Sequence, residues 1–455
     1  MQTQSLEYVA EKKMFYKKML VIAIPVVIQH LISIGLNLVD TLMIGLVGET
    51  ALAAVGAANQ VYFIFSNMCY GLYSGAAIYT AQYFGVGDIK SIRKILGMDY
   101  AVGLFMASMF TICGFFLAPQ LIAVFDDSPE VVELGVKYLR IACFSYLFTA
   151  LSFSINYNSR AIQDLKVPTI INGAALAVNT CLNYLLIYGH LGLPKLGVTG
   201  AAAATLTARI LECAGLFLYV YTRKSHTFKT GPAELFSFSK KEFFTVMKTA
   251  VPVVVTEGGW AFSMSAIFSI YGKLGTSALA VTQVANTVSE FLQSIYFGIG
   301  NAAAVLIGNA LGADQKDRAY FQAGVAVRLT WMLNGIMAVV LILIRGPVSA
   351  IYQFNPQTTA LLCDSLLVWA IALAPKMLAY MLICGVLRAG GDTVFCMIMD
   401  FSFNVGIQVT MAAVAVLVFH LSLPWAMLMV AFGDVLKVIW CYRRYYSRKW
   451  MRVMT

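Results

Sequence analysis

Seven polar side chains fall inside stretches that are otherwise apolar: Asp40, Asn179, Asn183 and Thr205 in the first half of the chain, Glu257, Lys376 and Asp400 in the second. Residues 255–260, for example, read VTEGGW within an apolar run from Val246 to Tyr271. If such runs cross a bilayer, each ionisable residue costs about 2.5–3.5 kcal/mol on insertion scales and needs a reason to be there. Two chemistries suit the residue types. One carboxylate, two amide oxygens and a hydroxyl form a hard, oxygen-only set fit for Na⁺ or for a proton with water. Glu257, Lys376 and Asp400 form a mixed charge cluster, in which burial and a neighbouring cation pull a carboxylate's proton affinity in opposite directions. The static alternatives are an ion pair that locks three helices, and interhelical hydrogen bonds of about 0.6 kcal/mol apiece.

Helical rise places these groups. At about 1.5 Å per residue, Glu257 lies about 13 Å above Lys248, Asp400 about 12 Å above Asp392, and Lys376 about 18 Å from Arg388. The three therefore reach a similar depth and are expected to neutralise one another, with Glu257 the titratable member. Asp40, twenty-two residues beyond Lys18, falls in the outer half of its helix. Asn179 and Asn183 are spaced i, i+4 and share one face, about 16 and 22 Å from Pro168. Thr205 lies in the outer third of the next run. Arg209 and Glu212, at i, i+3, are expected to pair with each other. Gly258 and Gly259 permit close helix approach, and Trp260 is read as packing or lining a cavity. His30 is read as a packed histidine.

The elements that must position these residues follow from composition. Of 455 residues, 60% are hydrophobic and 12% charged, too few charges to cover a water-soluble surface. Apolar runs of 20 or more residues recur, each able to cross about 30 Å of hydrocarbon. Twelve spans are expected, near 19–46, 52–84, 95–117, 131–159, 168–188, 199–221, 247–272, 278–311, 319–344, 358–386, 394–417 and 421–441. With the N-terminus inside, the inner segments collect Lys12, Lys13, Lys17, Lys18, Lys90, Arg93, Lys94, Arg160, Lys166, Arg223, Lys224, Lys229, Lys240, Lys241, Lys316, Arg318, Arg388 and the tail RRYYSRKWMR. The outer loops hold only Lys137, Lys195, Lys273 and Arg345, and the acidic DDSPE at 126–130. This bias predicts cytoplasmic termini and accounts for the net charge of +10 without nucleic acid. Residues 1–18 are polar and basic, with no cleavable signal. The nine cysteines show no C-x-x-C pair and give no metal or disulfide reading.

The chain also matches itself at a shift of 227. IPVV at 24–27 falls on VPVV at 251–254, Gly45 and Gly48 on Gly272 and Gly275, ALA at 51–53 on ALA at 278–280, and Gly85 on Gly312. His30 falls on Glu257. At a shift of 228, Pro119 pairs with Pro347, Arg160 with Arg388 and Asp164 with Asp392. The expected organisation is an all-α membrane protein of two pseudo-symmetric six-helix lobes, 1–222 and 246–455, joined by a basic cytoplasmic linker at 223–245. An even helix number per lobe makes the repeats parallel, related by an axis along the membrane normal, with a cavity between them. Pro25 and Pro252, at matched places in the first and seventh spans, are candidates for helix bending.

The stretches VDTLMIGLVGETALAAVG (39–56), YFGVGD (83–88), SRAIQD (159–164), NTCLNYLLIYG (179–189), GVTGAAAATL (197–206), YGKLGTSALA (271–280), IGNALGADQ (307–315) and LRAGGDT (387–393) resemble the MATE (multidrug and toxic compound extrusion) family of the MOP flippase superfamily. The resemblance implies two six-helix bundles in a V shape and cation-driven export of organic, usually cationic, compounds. It also implies a first-lobe cation site at Asp40, Asn179, Asn183 and Thr205. Two departures stand out. Asn183 occupies a position where many relatives have Asp, so one charge is missing. In the better-known branch a glutamate aligns with Trp260 and an aspartate lies near Met377, whereas this chain has Glu257 and Lys376.

The resulting expectation is a secondary antiporter of a bacterial inner membrane, monomeric, without cofactor and not an enzyme, coupled to H⁺ or Na⁺. Its partners would be small hydrophobic or cationic substrates and the lipid bilayer. No metal is expected beyond Na⁺ at Asp40. A lipid-linked oligosaccharide flippase of the same superfamily is the alternative, but its pyrophosphate would call for a more basic cavity. A membrane prenyltransferase would need paired Asp-rich Mg²⁺ motifs, and DDSPE occurs once.

Overall fold

A computed structural model describes residues 2–125, 128–192, 194–223, 226–351 and 354–454, with side chains from residue 12 onward and Thr276 excepted. Asp126 and Asp127 of the DDSPE stretch, and Lys224, lie outside the described residues. The chain folds into long helices: α1 (Gln2–Gly45), α2 (Glu49–Val86), α3 (Ile89–Phe116), α4 in two pieces (Pro129–Ala142 and Ser145–Ala161), α5 (Lys166–Tyr188), α6 (Val198–Thr222), α7 (Lys240–Gly272), α8 (Thr276–Gly312), α9 (Lys316–Ile351), α10 (Pro356–Leu387), α11 (Thr393–Val418) and α12 (Leu423–Tyr446). Ten of these are long and apolar enough to cross a membrane, and α4, bent by 49° between its pieces, is an eleventh. The remaining one is α2. Its 38 residues would extend about 57 Å, but Asn59, Gln60, Asn67 and Gln82 dilute its apolar character. The twelve elements coincide with the twelve expected spans.

Helix boundaries follow local chemistry more than hydropathy. α1 continues through the basic residues 12–18 because Lys, Met and Glu are good helix formers. The YFGVGD stretch turns α2 into α3: Gly87 takes a left-handed φ of 84° and the Asp88 side chain accepts from the Ser91 N–H at 3.1 Å, a C-cap followed directly by an N-cap. Three segments of α10 and α11, Met381–Leu387, Phe401–Gln408 and Val414–Val418, are π-helical. Such wide turns inside helices are frequent at functional sites.

The chain divides into two compact units, residues 28–250 and residues 1–27 with 251–455. Each divided helix changes unit within two residues of a proline, α1 after Val27 beyond Pro25 and α7 after Ala250 before Pro252. Each proline removes one intrahelical hydrogen bond.

In the unit 28–250, Phe65, Tyr73 and Tyr146 are fully buried, and Phe65 stacks on Tyr146 with centroids 4.9 Å apart. Residues 226–245 of the expected linker 223–245 pack on this unit, as does the start of α7 up to Ala250. His226, Phe228 and Leu235 are buried, and any side chain at Gly97 would collide with the Leu235 carbonyl. Arg93 donates to Glu234 and to the Thr227 carbonyl, and Lys94 to Glu242 at 2.8 Å. In the other unit the tail after α12 packs in the same manner. Trp450 is fully buried, its carbonyl sits against Gly390 where a Cβ would collide, and Arg444 and Arg452 both donate to Asp392.

Candidate functional site

In the unit 28–250 the predicted oxygen set converges. Asp40 of α1 accepts from Thr180 at 3.5 Å and also faces Asn183. Asn183 donates to the Asn179 amide oxygen at 3.4 Å, and Asn179 donates to the Thr205 hydroxyl at 3.4 Å. The i, i+4 spacing on α5 thus places both amides on one face, toward α1 and α6. Asn179 and Asn183 are 8% and 2% exposed. Asn183 Oδ1 has no hydrogen-bond partner among the described residues. Tyr138 of α4 adjoins Thr205 and Asp40, and its hydroxyl donates to Asn59 at 3.4 Å. The contacts inside this set are near the long limit for hydrogen bonds. Asp40's polar neighbours Thr180 and Asn183 are neutral. Arg209 and Glu212 pair as expected, at 2.7 Å.

In the other unit the predicted residues lie near one another, but their partners differ from those expected. Arg388 donates through both Nη atoms to Glu257 Oε1 at 3.0 Å. Lys437 of α12 donates to Asp400 at 3.3 Å and to Asn404 at 2.9 Å, and lies 3.4 Å from Asp434. Lys376, expected to neutralise Glu257 and Asp400, instead holds its ammonium 4.7 Å above the Trp369 ring. The physical reason is reach: the Arg388 guanidinium and the Lys437 ammonium extend to these carboxylates, and the Trp369 ring takes the Lys376 ammonium. Arg388 follows the wide turn 381–387 and is 5% exposed instead of lying at the rim, and Asp400 precedes the wide turn 401–408 that carries Asn404. Arg388, Lys437, Asp434 and Asn404 are site residues that the sequence reading did not select. The recurrence of Arg160 and Arg388 in both halves was the available signal. Arg160 itself donates to Gln29 at 3.0 Å, beside His30, so the repeat position of Glu257 again adjoins the repeat position of Arg388.

A duplicated set of long apolar helices, with buried ionisable side chains in each half, is the architecture of a polytopic membrane protein. A family model described as MatE matches residues 25–185 and again 252–414, so the chain belongs to the MATE family. The two matched segments begin 227 residues apart, the internal shift read from the sequence. The chain is 24% identical over 444 residues to a protein named "Probable multidrug resistance protein NorM" from Thermotoga maritima, covering 95% of this chain and 93% of that one. It is 21% identical over 421 residues to "Probable multidrug resistance protein YoeA" from Bacillus subtilis, covering 91% and 90%. A NorM of Agrobacterium fabrum is 28% identical over 303 residues, and there the match spans 64% of the relative's length. Among solved structures, a MATE protein in complex with MaL6 superposes with a TM-score of 0.87 at 19% identity, covering 95% of this chain and 97% of that one. A MOP superfamily transporter from Pyrococcus furiosus, described as having a binding pocket of reverse polarity, superposes with a TM-score of 0.86 at 19% identity, covering 95% and 96%. These likenesses establish the fold.

Proposed function

We propose that this MATE transporter is a secondary antiporter that expels hydrophobic, cationic, drug-like compounds in exchange for H⁺ or Na⁺ by alternating access. The observation that carries this reading is the condition of Asp40. A half-buried carboxylate that faces the neutral side chains of Thr180 and Asn183, beside an amide oxygen of Asn183 with no hydrogen-bond partner among the described residues, suits a travelling positive charge. Asn179, Asn183 and Thr205 complete its coordination. Cation loading discharges Asp40, and the bilayer then tolerates the site in either orientation. An organic cation and the coupling ion compete for states of the protein that differ in this charge, which is the source of coupling.

The second set, Glu257 with Arg388 and Asp400 with Lys437, is proposed as a balanced polar cluster that couples to substrate. Lys376 over Trp369 supplies a cation there that faces Asp434 and Glu290 without a direct ion pair among the described residues. Pro25 and Pro252 are proposed as the bending points. Multidrug-resistance naming of the relatives supports the substrate class, and the basic segments support cytoplasmic termini in a bacterial inner membrane. Two lobes, 1–222 and 246–455, joined at 223–245 and acting as a monomer, complete the proposal. Pairing of Arg209 with Glu212, Arg388 with Glu257 and Lys437 with Asp400 disfavours a flippase that must grip a pyrophosphate.

The test is ethidium efflux by everted membrane vesicles energised with an imposed pH gradient or, separately, an imposed Na⁺ gradient. One gradient should drive accumulation and the Asp40→Asn protein should fail under it. Export that proceeds equally without either gradient would overturn antiport.

A further inference from the structure

Asp99 of α3 belongs to neither set above. Its side chain is fully buried at the end of the bundle that carries Lys90, Arg93 and Lys94. Asp99 Oδ2 accepts from Asn158 Nδ2 at 2.7 Å, and Asn158 Oδ1 in turn accepts from the Thr80 hydroxyl at 2.6 Å. Thr80 and Asn158 are also fully buried. This chain, running across α2, α4 and α3, delivers a single donor to the carboxyl. Asp99 Oδ1 has no hydrogen-bond partner among the described residues.

The groups that face it are neutral. Among the described residues its side-chain hydrogen-bond partner is Asn158, and the phenols of Tyr73 and Tyr100 lie near. The Tyr73 hydroxyl, packed on Gly103 one turn along α3, adjoins the neutral Cys69 thiol. The basic residues of this end face other groups: Arg93 and Lys90 face Glu234, Lys94 pairs with Glu242, and Arg160 donates to Gln29. An isolated carboxylate in such surroundings is among the most costly groups to bury, whereas a carboxylic acid is tolerated. With one oxygen held by an amide donor and no donor on the other, a single proton bound at Oδ1 removes the charge that the surroundings leave uncompensated.

We infer that Asp99 is a second proton-binding site, separate from Asp40, that holds H⁺ on Oδ1 and exchanges it with solution. Binding forms the Oδ1–H bond and takes the side chain from one negative charge to zero. Release returns the proton to solution and leaves the carboxylate on the Asn158–Thr80 chain. The site does not depend on the antiport reading, and its test does not use transport.

The experiment is difference infrared spectroscopy of the full-length protein in lipid nanodiscs, titrated over the pH range in which it stays folded. The expected result is a carbonyl-stretch band of a buried, protonated carboxyl at neutral pH. It should be absent from Asp99→Asn and should convert to carboxylate absorption as pH rises. Asp99→Glu, which keeps the acid, should move the band without removing it and serves if Asp99→Asn does not fold. Absence of a band assignable to Asp99 at neutral pH would overturn the inference. So would a band that stays unchanged to the highest tolerated pH, because that proton would be a fixed structural hydrogen and not an exchangeable one.

Discussion

Arg388 places both of its Nη atoms 3.0 Å from a single oxygen of Glu257, with side chains only 5% and 13% exposed. Removing one partner of such a pair leaves a buried, uncompensated charge, at a cost of about 3–5 kcal/mol, whereas replacing both by apolar groups is often nearly neutral. Glu257→Gln is therefore expected to lower thermal stability strongly in detergent, and Glu257→Gln with Arg388→Met to recover most of it. Transport should stay lost in the double variant. Full recovery of efflux along with stability would make the pair a fastener.

Asp40 gives the opposite pattern. Its neighbours Thr180 and Asn183 are neutral and Thr180 is 3.5 Å away, so Asp40→Asn strands no partner charge. The variant is expected to unfold within about 1 kcal/mol of the wild type, as substitutions that leave no buried charge usually do. Its initial rate of ethidium efflux should fall at least about tenfold, the equivalent of about 1.4 kcal/mol in the driven step. Thr205→Ala, which removes one neutral oxygen, should cost less.

The tail that follows α12 is part of the fold. Trp450 is fully buried and packs on Gly390. Truncating a buried tryptophan to alanine costs about 3–5 kcal/mol, and Trp450→Ala should expose the bonds after Arg448 and Lys449 to trypsin. Gly390→Ala should act in the same direction through collision with the Trp450 carbonyl. Limited proteolysis followed by mass spectrometry measures both, and a cleavage rate equal to wild type would contradict the packing.

Asp164, between α4 and α5, holds the corresponding place in the other half. His226 at 3.3 Å and the Tyr219 hydroxyl at 2.8 Å hold its carboxyl below the usual carboxylate range. The folded state therefore favours the ionised form. Its contribution is fully present above the unfolded carboxylate value of about 3.9 and disappears as pH falls through the lower folded value. The stability difference between wild type and Asp164→Asn should accordingly be flat from neutral pH to about pH 4 and shrink below it. Thermal unfolding across pH checks this. A difference that vanishes already near neutrality would contradict the pairing.

How much of this was legible in the sequence depends on what each feature needs. The helices were, because most present a long apolar run and α2 is set by its turn signals at both ends, and so was the duplication, because Ala58-Asn59 and Ala285-Asn286 or Gly85 and Gly312 stand at one fixed shift. The Asp40, Asn179, Asn183 and Thr205 set was legible from spacing, since i, i+4 residues must share a helix face. The true partners of Glu257 and Asp400 were not. They depend on how far long side chains at the helix ends reach inward, which no residue pattern marks. Arg388 and Lys437 stand at the ends of apolar runs, where a cation reads as a rim residue. Asp99, four residues into the expected span 95–117, was hidden in the same way.

The most direct test of the central claim, that a travelling cation discharges Asp40 and substrate displaces it, is ion release on substrate binding. Ethidium would be added to the purified protein in weakly buffered nanodiscs, with a pH indicator and a Na⁺-selective electrode reading the solution. Release of H⁺ or Na⁺ in proportion to bound ethidium, lost in Asp40→Asn, is the predicted result. Ethidium binding that releases neither ion, or equal release from the Asp40→Asn protein, would contradict it.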